Sequence, residues 1–154
     1  MTPIHLLVVD DEKLFVETIN ERLRERGFKV SGAYSGQGAL DRVAGDDGFE
    51  VIILDVAMPG MDGIETLKMI KKLRPLTEII MLTGKSTVKT ALAAMKLGAF
   101  DYVSKPCDLD ELISKIKAAA ERKRDRERRI LEARTKPYIS EHEREEMISE
   151  IINS

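Results

Sequence analysis

Apolar residues fall along this chain in two alternating rhythms. Ile4 to Val9, Val51 to Leu54 and Glu78 to Leu82 are short, nearly continuous apolar runs, the pattern of strands buried on both faces. Between them lie longer stretches with helical spacing. Leu14 to Arg26 sets Phe15, Ile19 and Leu23 four residues apart, and Gly27 is placed to cap it. Ile64 to Leu73 puts Ile64, Leu67, Ile70 and Leu73 on one face, with Pro75 just beyond. Ser86 to Leu97 reads as a helix ending at Gly98, and from Leu109 onward Leu109, Leu112, Ile113 and Ile116 form an inner stripe. Lys29 to Ala33 and Asp101 to Val103 read as shorter strands, and Gln37 to Ala44 as a short helix flanked by Gly36 and Gly38.

Five strand–helix units therefore fill about 120 residues. Parallel strands need crossovers, and crossovers are right-handed, so helices cover both faces of one doubly wound sheet. Five strands point to the flavodoxin-like order 2-1-3-4-5 in an α/β fold. Chemistry in such sheets sits at the carboxyl ends of the strands, beside the switch point between strands 1 and 3.

The compact domain is expected to span residues 1–120, followed by a helical extension over 121–154. Glu121 to Arg129 holds six basic and three acidic residues, is helix-forming, and shows no apolar stripe; a solvated helix running to about Arg134 is the expectation. Pro137 then breaks the helix. Ser140 and Glu143 have capping-box spacing, so a last short helix starts there, with Met147, Ile148, Ile151 and Ile152 on its apolar face. That face, with Ile130 and Leu131, has no domain core nearby. It can fold back on its own chain or pack against a second one, and the latter, a dimer, is favoured because the long helix leaves its own sheet.

Composition narrows the function. Hydrophobic residues make up 43% of the 154, an ordinary globular share, so wholesale disorder is excluded. A net charge of -2 gives no sign of a nucleic-acid binder. The single cysteine, Cys107, rules out an intrachain disulfide, fits a reducing compartment, and reads as a small buried thiol. No apolar stretch approaches the roughly 20 residues that cross a bilayer, and the N-terminus lacks a signal peptide's basic region, so a cytoplasmic chain is expected.

Candidate chemistry gathers at the strand ends. Asp10 and Asp11 follow strand 1 and Asp55 follows strand 3, so three carboxylates meet at one point. Three anions in one cleft repel unless a cation sits among them, and hard oxygen ligands favour Mg²⁺. Thr83 follows strand 4 and Lys105 follows strand 5, adding a hydroxyl and a mobile positive charge to the same rim. A carboxylate nucleophile beside a metal site, a lysine and a hydroxyl is what phosphoryl transfer to an aspartate needs.

The chain resembles the response-regulator receiver domain of bacterial two-component signalling over about residues 4–120. The matching runs are Val8-Val9-Asp10-Asp11-Glu12, Ile53 to Gly63, Met81-Leu82-Thr83-Gly84, and Leu97 to Pro106. The resemblance implies that Asp55 is the phosphoacceptor. It implies Mg²⁺ held by Asp10, Asp11 and Asp55 with the backbone carbonyl of Ala57, and phosphoryl oxygens held by Thr83 and Lys105. It makes Thr83 and Tyr102 a switch pair and the Lys105–Pro106 bond cis. Ala57 and Lys85 flank the phosphoryl site at positions that vary in the family, and Cys107 stands where an aromatic residue often follows. The implied partners are a sensor histidine kinase or phosphotransfer protein, which supplies the donor histidine that His5 and His142 are too far from the rim to be, and a downstream protein target.

About 34 residues follow position 120, too few for a helix-turn-helix or ATPase module. A stand-alone switch is therefore the leading expectation, acting through a partner or a homodimer at the helix 4, strand 5 and helix 5 face or at the extension. It is a phosphoacceptor that catalyses only its own phosphorylation and dephosphorylation. A receiver cut from a longer transcription regulator is the first alternative. A dehalogenase-like phosphatase would want an acid where Ala57 stands, and a flavodoxin a Gly-rich phosphate loop where Asp10-Asp11-Glu12 stand.

Overall fold

The computed structural model describes residues 2–58, 62–84 and 88–154. Five parallel strands, β1 (His5–Val9), β2 (Lys29–Ala33), β3 (Val51–Asp55), β4 (Glu78–Thr83) and β5 (Asp101–Ser104), form one sheet in the order β2-β1-β3-β4-β5. The helices are α1 (Lys13–Glu25), α2 (Gly36–Gly45), α3 (Gly63–Leu73), α4 (Val88–Lys96), α5 (Leu109–Thr135) and α6 (Glu141–Asn153). The expected architecture and strand order are both present. Ser86 and Lys85 lie outside the described residues, as do Pro59, Gly60 and Met61 of the second matching run.

The continuous apolar runs are explained by the two cores they feed. Leu7, Val9, Ile52, Leu54, Ile79 and Met81 face a cluster closed by α2, α3 and α4. Their alternates Leu6, Val8, Val51, Ile53, Ile80 and Leu82 face a second cluster closed by α1 and α5. β1, β3 and β4 are buried at every position, so period-2 alternation is absent there. Edge strand β2 is half-exposed, which accounts for its weaker pattern.

Two local devices position the strand ends. Asp62 caps α3 by accepting a hydrogen bond from the Glu65 N–H at 2.9 Å. Gly63 beside it brings the helix against the end of β3. A Cβ there would lie 2.5 Å from the Asp55 carbonyl oxygen and 2.8 Å from the Val56 Cα, so only glycine permits the approach. The Lys105–Pro106 peptide bond is cis.

The C-terminal extension departs from its expectation. α5 runs through Ala120 to Thr135, close to the expected end at Arg134, but the charged stretch is not solvated all round: it has a buried face. Lys123, Arg126, Ile130 and Ala133 are all buried there. α6 folds back on α5 of its own chain, one of the two packings expected for it, and closes a small core of Ile130, Ala133, Ile151, Leu76, Met147, Ile148 and Ile152. The expected N-cap is present, with Ser140 Oγ accepting from the Glu143 N–H at 3.1 Å. Each helix caps the other. Arg144 donates to the carbonyls of Ala133 and Arg134, and Arg126 to those of Ile151 and Ile152. Arg126 also pairs with Glu78 at 3.2 Å, and Arg124 holds Glu50 through two hydrogen bonds of 2.6 and 2.8 Å, so the extension is fastened to the amino-terminal edge of the sheet.

Candidate functional site

The carboxyl ends of β1, β3, β4 and β5 bring Asp10, Asp11, Asp55, Thr83 and Lys105 to one rim. β1 and β3 are paired neighbours, which sets Asp10 beside Asp55. Carboxylate oxygens of Asp10, Asp11 and Asp55 lie within 4.8 Å of one another. Asp10 is fully buried, Asp55 nearly so, and Asp11 exposed. Asp10 Oδ1 accepts the Glu12 N–H at 3.0 Å, which turns the chain into α1.

Burial raises the Asp55 carboxyl to about 6 from its ordinary 3.8, and the neighbouring Asp10 charge adds to the shift. Lys105 and the backbone N–H of Ala57 oppose it only in part, and Asp11 raises it further. A carboxylate held in this state gains from any cation placed among the three acids. The donor set is all oxygen and opens to solvent through Asp11, which fits a small hard ion such as Mg²⁺.

Lys105 enters from the β5 side. Its ammonium donates to Asp10 Oδ2, and lies 3.9 Å from Asp55 Oδ2 and 3.7 Å from Glu12 Oε1. Burial presses the lysine pKa down, but the bond to Asp10 and the charges of Asp55, Asp10 and Glu12 outweigh it, so the ammonium stays firmly protonated. β4 brings Thr83 to the same rim, and the Lys105 N–H donates to the Thr83 carbonyl at 2.7 Å. The Thr83 hydroxyl is buried with no hydrogen-bond partner among the described residues. A buried hydroxyl without a partner is costly unless a ligand oxygen completes it.

Tyr102 stands on β5, one strand from Thr83, half-buried against the first core cluster. Lys115 of α5 donates to its carbonyl at 2.7 Å and lies 5.6 Å over its ring. Cys107 is half-buried, and burial pushes its thiol pKa up, in line with an unreactive packing role. His5 stacks on Phe49 at the opposite end of β1, and His142 is an exposed residue of α6, so neither faces the rim. Two neighbours of Lys105 had no role assigned from sequence. Glu12 follows the two site acids directly and was legible as a third acid, whereas Phe15, whose ring centroid is 4.6 Å from the ammonium, was read only as helix interior.

Comparison with known proteins identifies the family of the domain that carries this rim. The response regulator receiver domain family matches residues 6–117. The transcriptional regulatory protein ZraR of Salmonella typhimurium is 45% identical over 109 residues, which cover 71% of this chain and 24% of ZraR. TcrA of Mycobacterium tuberculosis is 34% identical over 119 residues, 77% of this chain and 47% of TcrA. The chain thus spans a quarter to a half of the length of these relatives. A receiver domain from Clostridium thermocellum superposes with a TM-score of 0.76 at 34% identity, covering 79% of this chain and 97% of that one. NtrX from Brucella abortus, solved with ATP, superposes at 0.77 and 30% identity over 85% of this chain and 30% of its own. No helix among the described residues is long and apolar enough to cross a membrane. With the family match running from β1 into α5, the chain belongs to the response regulator receiver domain family.

Proposed function

We propose that this receiver takes a phosphoryl group from a histidine of a sensor kinase or phosphotransfer protein onto Asp55, and that this changes what its surface binds. The observation that carries the reading is the pairing of Asp55, its pKa raised to about 6 among two further acids, with the partnerless buried hydroxyl of Thr83. Asp10, Asp11, Asp55 and the backbone carbonyl of Ala57 would hold Mg²⁺, whose chemistry here is to neutralise charge on the phosphoryl oxygens. Asp55 attacks phosphorus in line; the P–N bond of the phosphohistidine breaks and the P–O bond forms. Lys105 and the Thr83 hydroxyl then hold the phosphoryl oxygens, which gives the buried Thr83 donor its partner. The chain turns over no separate substrate, and acts as a switch rather than an enzyme.

The response follows from what touches Thr83 and Tyr102. As the hydroxyl turns toward phosphate it vacates space that Tyr102 can enter, and the Tyr102–Lys115 contact links this to α5. The α4, β5 and α5 surface then binds a downstream protein or a second copy. The 24% coverage of ZraR and the alignment with NtrX past residue 120 support the second reading, a receiver that works within a longer transcription regulator through α5. Beryllofluoride with Mg²⁺ tests the switch. NMR shifts should move for residues 88–116, and no movement there would refute the surface response. Asp11→Ala should abolish saturable Mg²⁺ binding, and unchanged binding would place the cation elsewhere.

A further inference from the structure

We infer that Phe15 is a positioning residue: its ring and Asp10 clamp the Lys105 ammonium between them, and this clamp lowers the affinity of the resting site for a divalent cation. The inference rests on the cation site proposed above and concerns its regulation.

The geometry is specific to this corner of the fold. Lys105 is about one-fifth exposed. Its ammonium donates to Asp10, with Glu12 at 3.7 Å and Asp55 at 3.9 Å. The ammonium also lies over the Phe15 ring, 4.6 Å from its centroid, inside the range where the negative face of the ring attracts a cation. Phe15 sits in the first turn of α1, two residues after the helix begins at Lys13. Its neighbour Leu14 points to solvent at 76% exposure, while Phe15 packs partly against the second core cluster. The turn that starts at Glu12 therefore delivers an acid and an aromatic face to the same ammonium.

A divalent cation among Asp10, Asp11 and Asp55 needs the Asp10 carboxylate that Lys105 now holds, and like charge drives the ammonium off it. Every contact that steadies the lysine in its present place opposes that exchange. The ring is one such contact, and at a partly exposed site it is worth about a two- to fivefold change in an equilibrium constant. Phe15 thus works through Lys105 and touches neither the cation nor the phosphoryl group.

The test is Mg²⁺ titration of the full chain by NMR, following the amides of Asp11 and Asp55. Phe15→Leu and Phe15→Met should bind Mg²⁺ about two- to fivefold more tightly than the parent, and Phe15→Tyr, which keeps the ring, should match it. Lys105→Met should also bind more tightly, and adding Phe15→Leu to it should change nothing further. A merely structural role would lower thermal stability without moving Mg²⁺ affinity. The inference is overturned if folded Phe15→Leu or Phe15→Met binds Mg²⁺ no more tightly than the parent. It is overturned too if Phe15→Tyr behaves like Phe15→Leu, or if the gain persists without Lys105. A parent chain that binds no Mg²⁺ would overturn the cation reading itself, and this inference with it.

Discussion

Replacing Arg126 with methionine should unfasten the C-terminal hairpin from the sheet. Arg126 is 4% exposed and Glu78 1% exposed, so the pair is shielded from water on both sides. The Glu78 carboxylate has three cationic neighbours: Arg126 at 3.2 Å, Arg122 at 3.4 Å and Lys71 at 3.5 Å. Breaking a buried pair from one side costs roughly 3–5 kcal/mol, because the remaining charge stays buried. Two cations still face Glu78, which puts Arg126→Met near the lower end, about 3 kcal/mol. The same change leaves the carbonyls of Ile151 and Ile152 without their guanidinium, so α6 loses its C-terminal cap as well. At about 2–4 °C per kcal/mol for a chain of this size, the midpoint should fall by roughly 6–12 °C. Urea unfolding followed by circular dichroism gives the free energy directly. In a double-mutant cycle Glu78→Gln should cost less in the Arg126→Met background than in the parent, because the two residues act partly through one pair. An Arg126→Met variant within about 1 kcal/mol of the parent, or costs that simply add in the double variant, would refute the reasoning.

Two further perturbations test the rim. In the absence of Mg²⁺, Asp55→Asn should stabilise the fold at pH 7.5 by something on the order of 2 kcal/mol. The folded-state pKa of about 6 exceeds the ordinary 3.8, so ionisation of Asp55 opposes folding. The gain should be full above about pH 6 and vanish below about pH 4, as measured by urea unfolding across that range; a gain that grew as the pH fell would contradict the sign. Gly63→Ala should cost about 2 kcal/mol or more and displace the end of β3, since its Cβ would meet the Asp55 carbonyl at 2.5 Å. A crystal structure or unfolding curve indistinguishable from the parent would show that α3 can retreat without loss.

The sheet was legible because its strands are buried on both faces and say so in unbroken apolar runs, while the site acids sit where those runs stop. Strand boundaries slipped by one residue at Asp55 and Thr83, polar residues that continue the backbone ladder while their side chains leave the core. The extension was harder to read because one arginine among six basic residues looks like the rest. Arg126 differs from them by its partner, Glu78, 48 residues away, and Glu78 itself was the signal available: a carboxylate opening an otherwise apolar strand, Glu78-Ile79-Ile80-Met81-Leu82. Lys123, Arg126, Ile130 and Ala133 recur at helical spacing, but the aliphatic part of that stripe begins only at Ile130. Where the last helix packs depends on the turn at 136–140, where Tyr138 adopts a positive φ of 63° that no local pattern foretold.

The claim at the centre of this account is that Asp55 accepts the phosphoryl group. Intact-mass spectrometry after incubation with acetyl phosphate and Mg²⁺ tests it directly. The parent chain should gain one phosphoryl group that hydroxylamine removes, as an acyl phosphate requires, and Asp55→Asn should gain none. Parental levels of phosphorylation in Asp55→Asn, or an adduct that survives hydroxylamine, would contradict it.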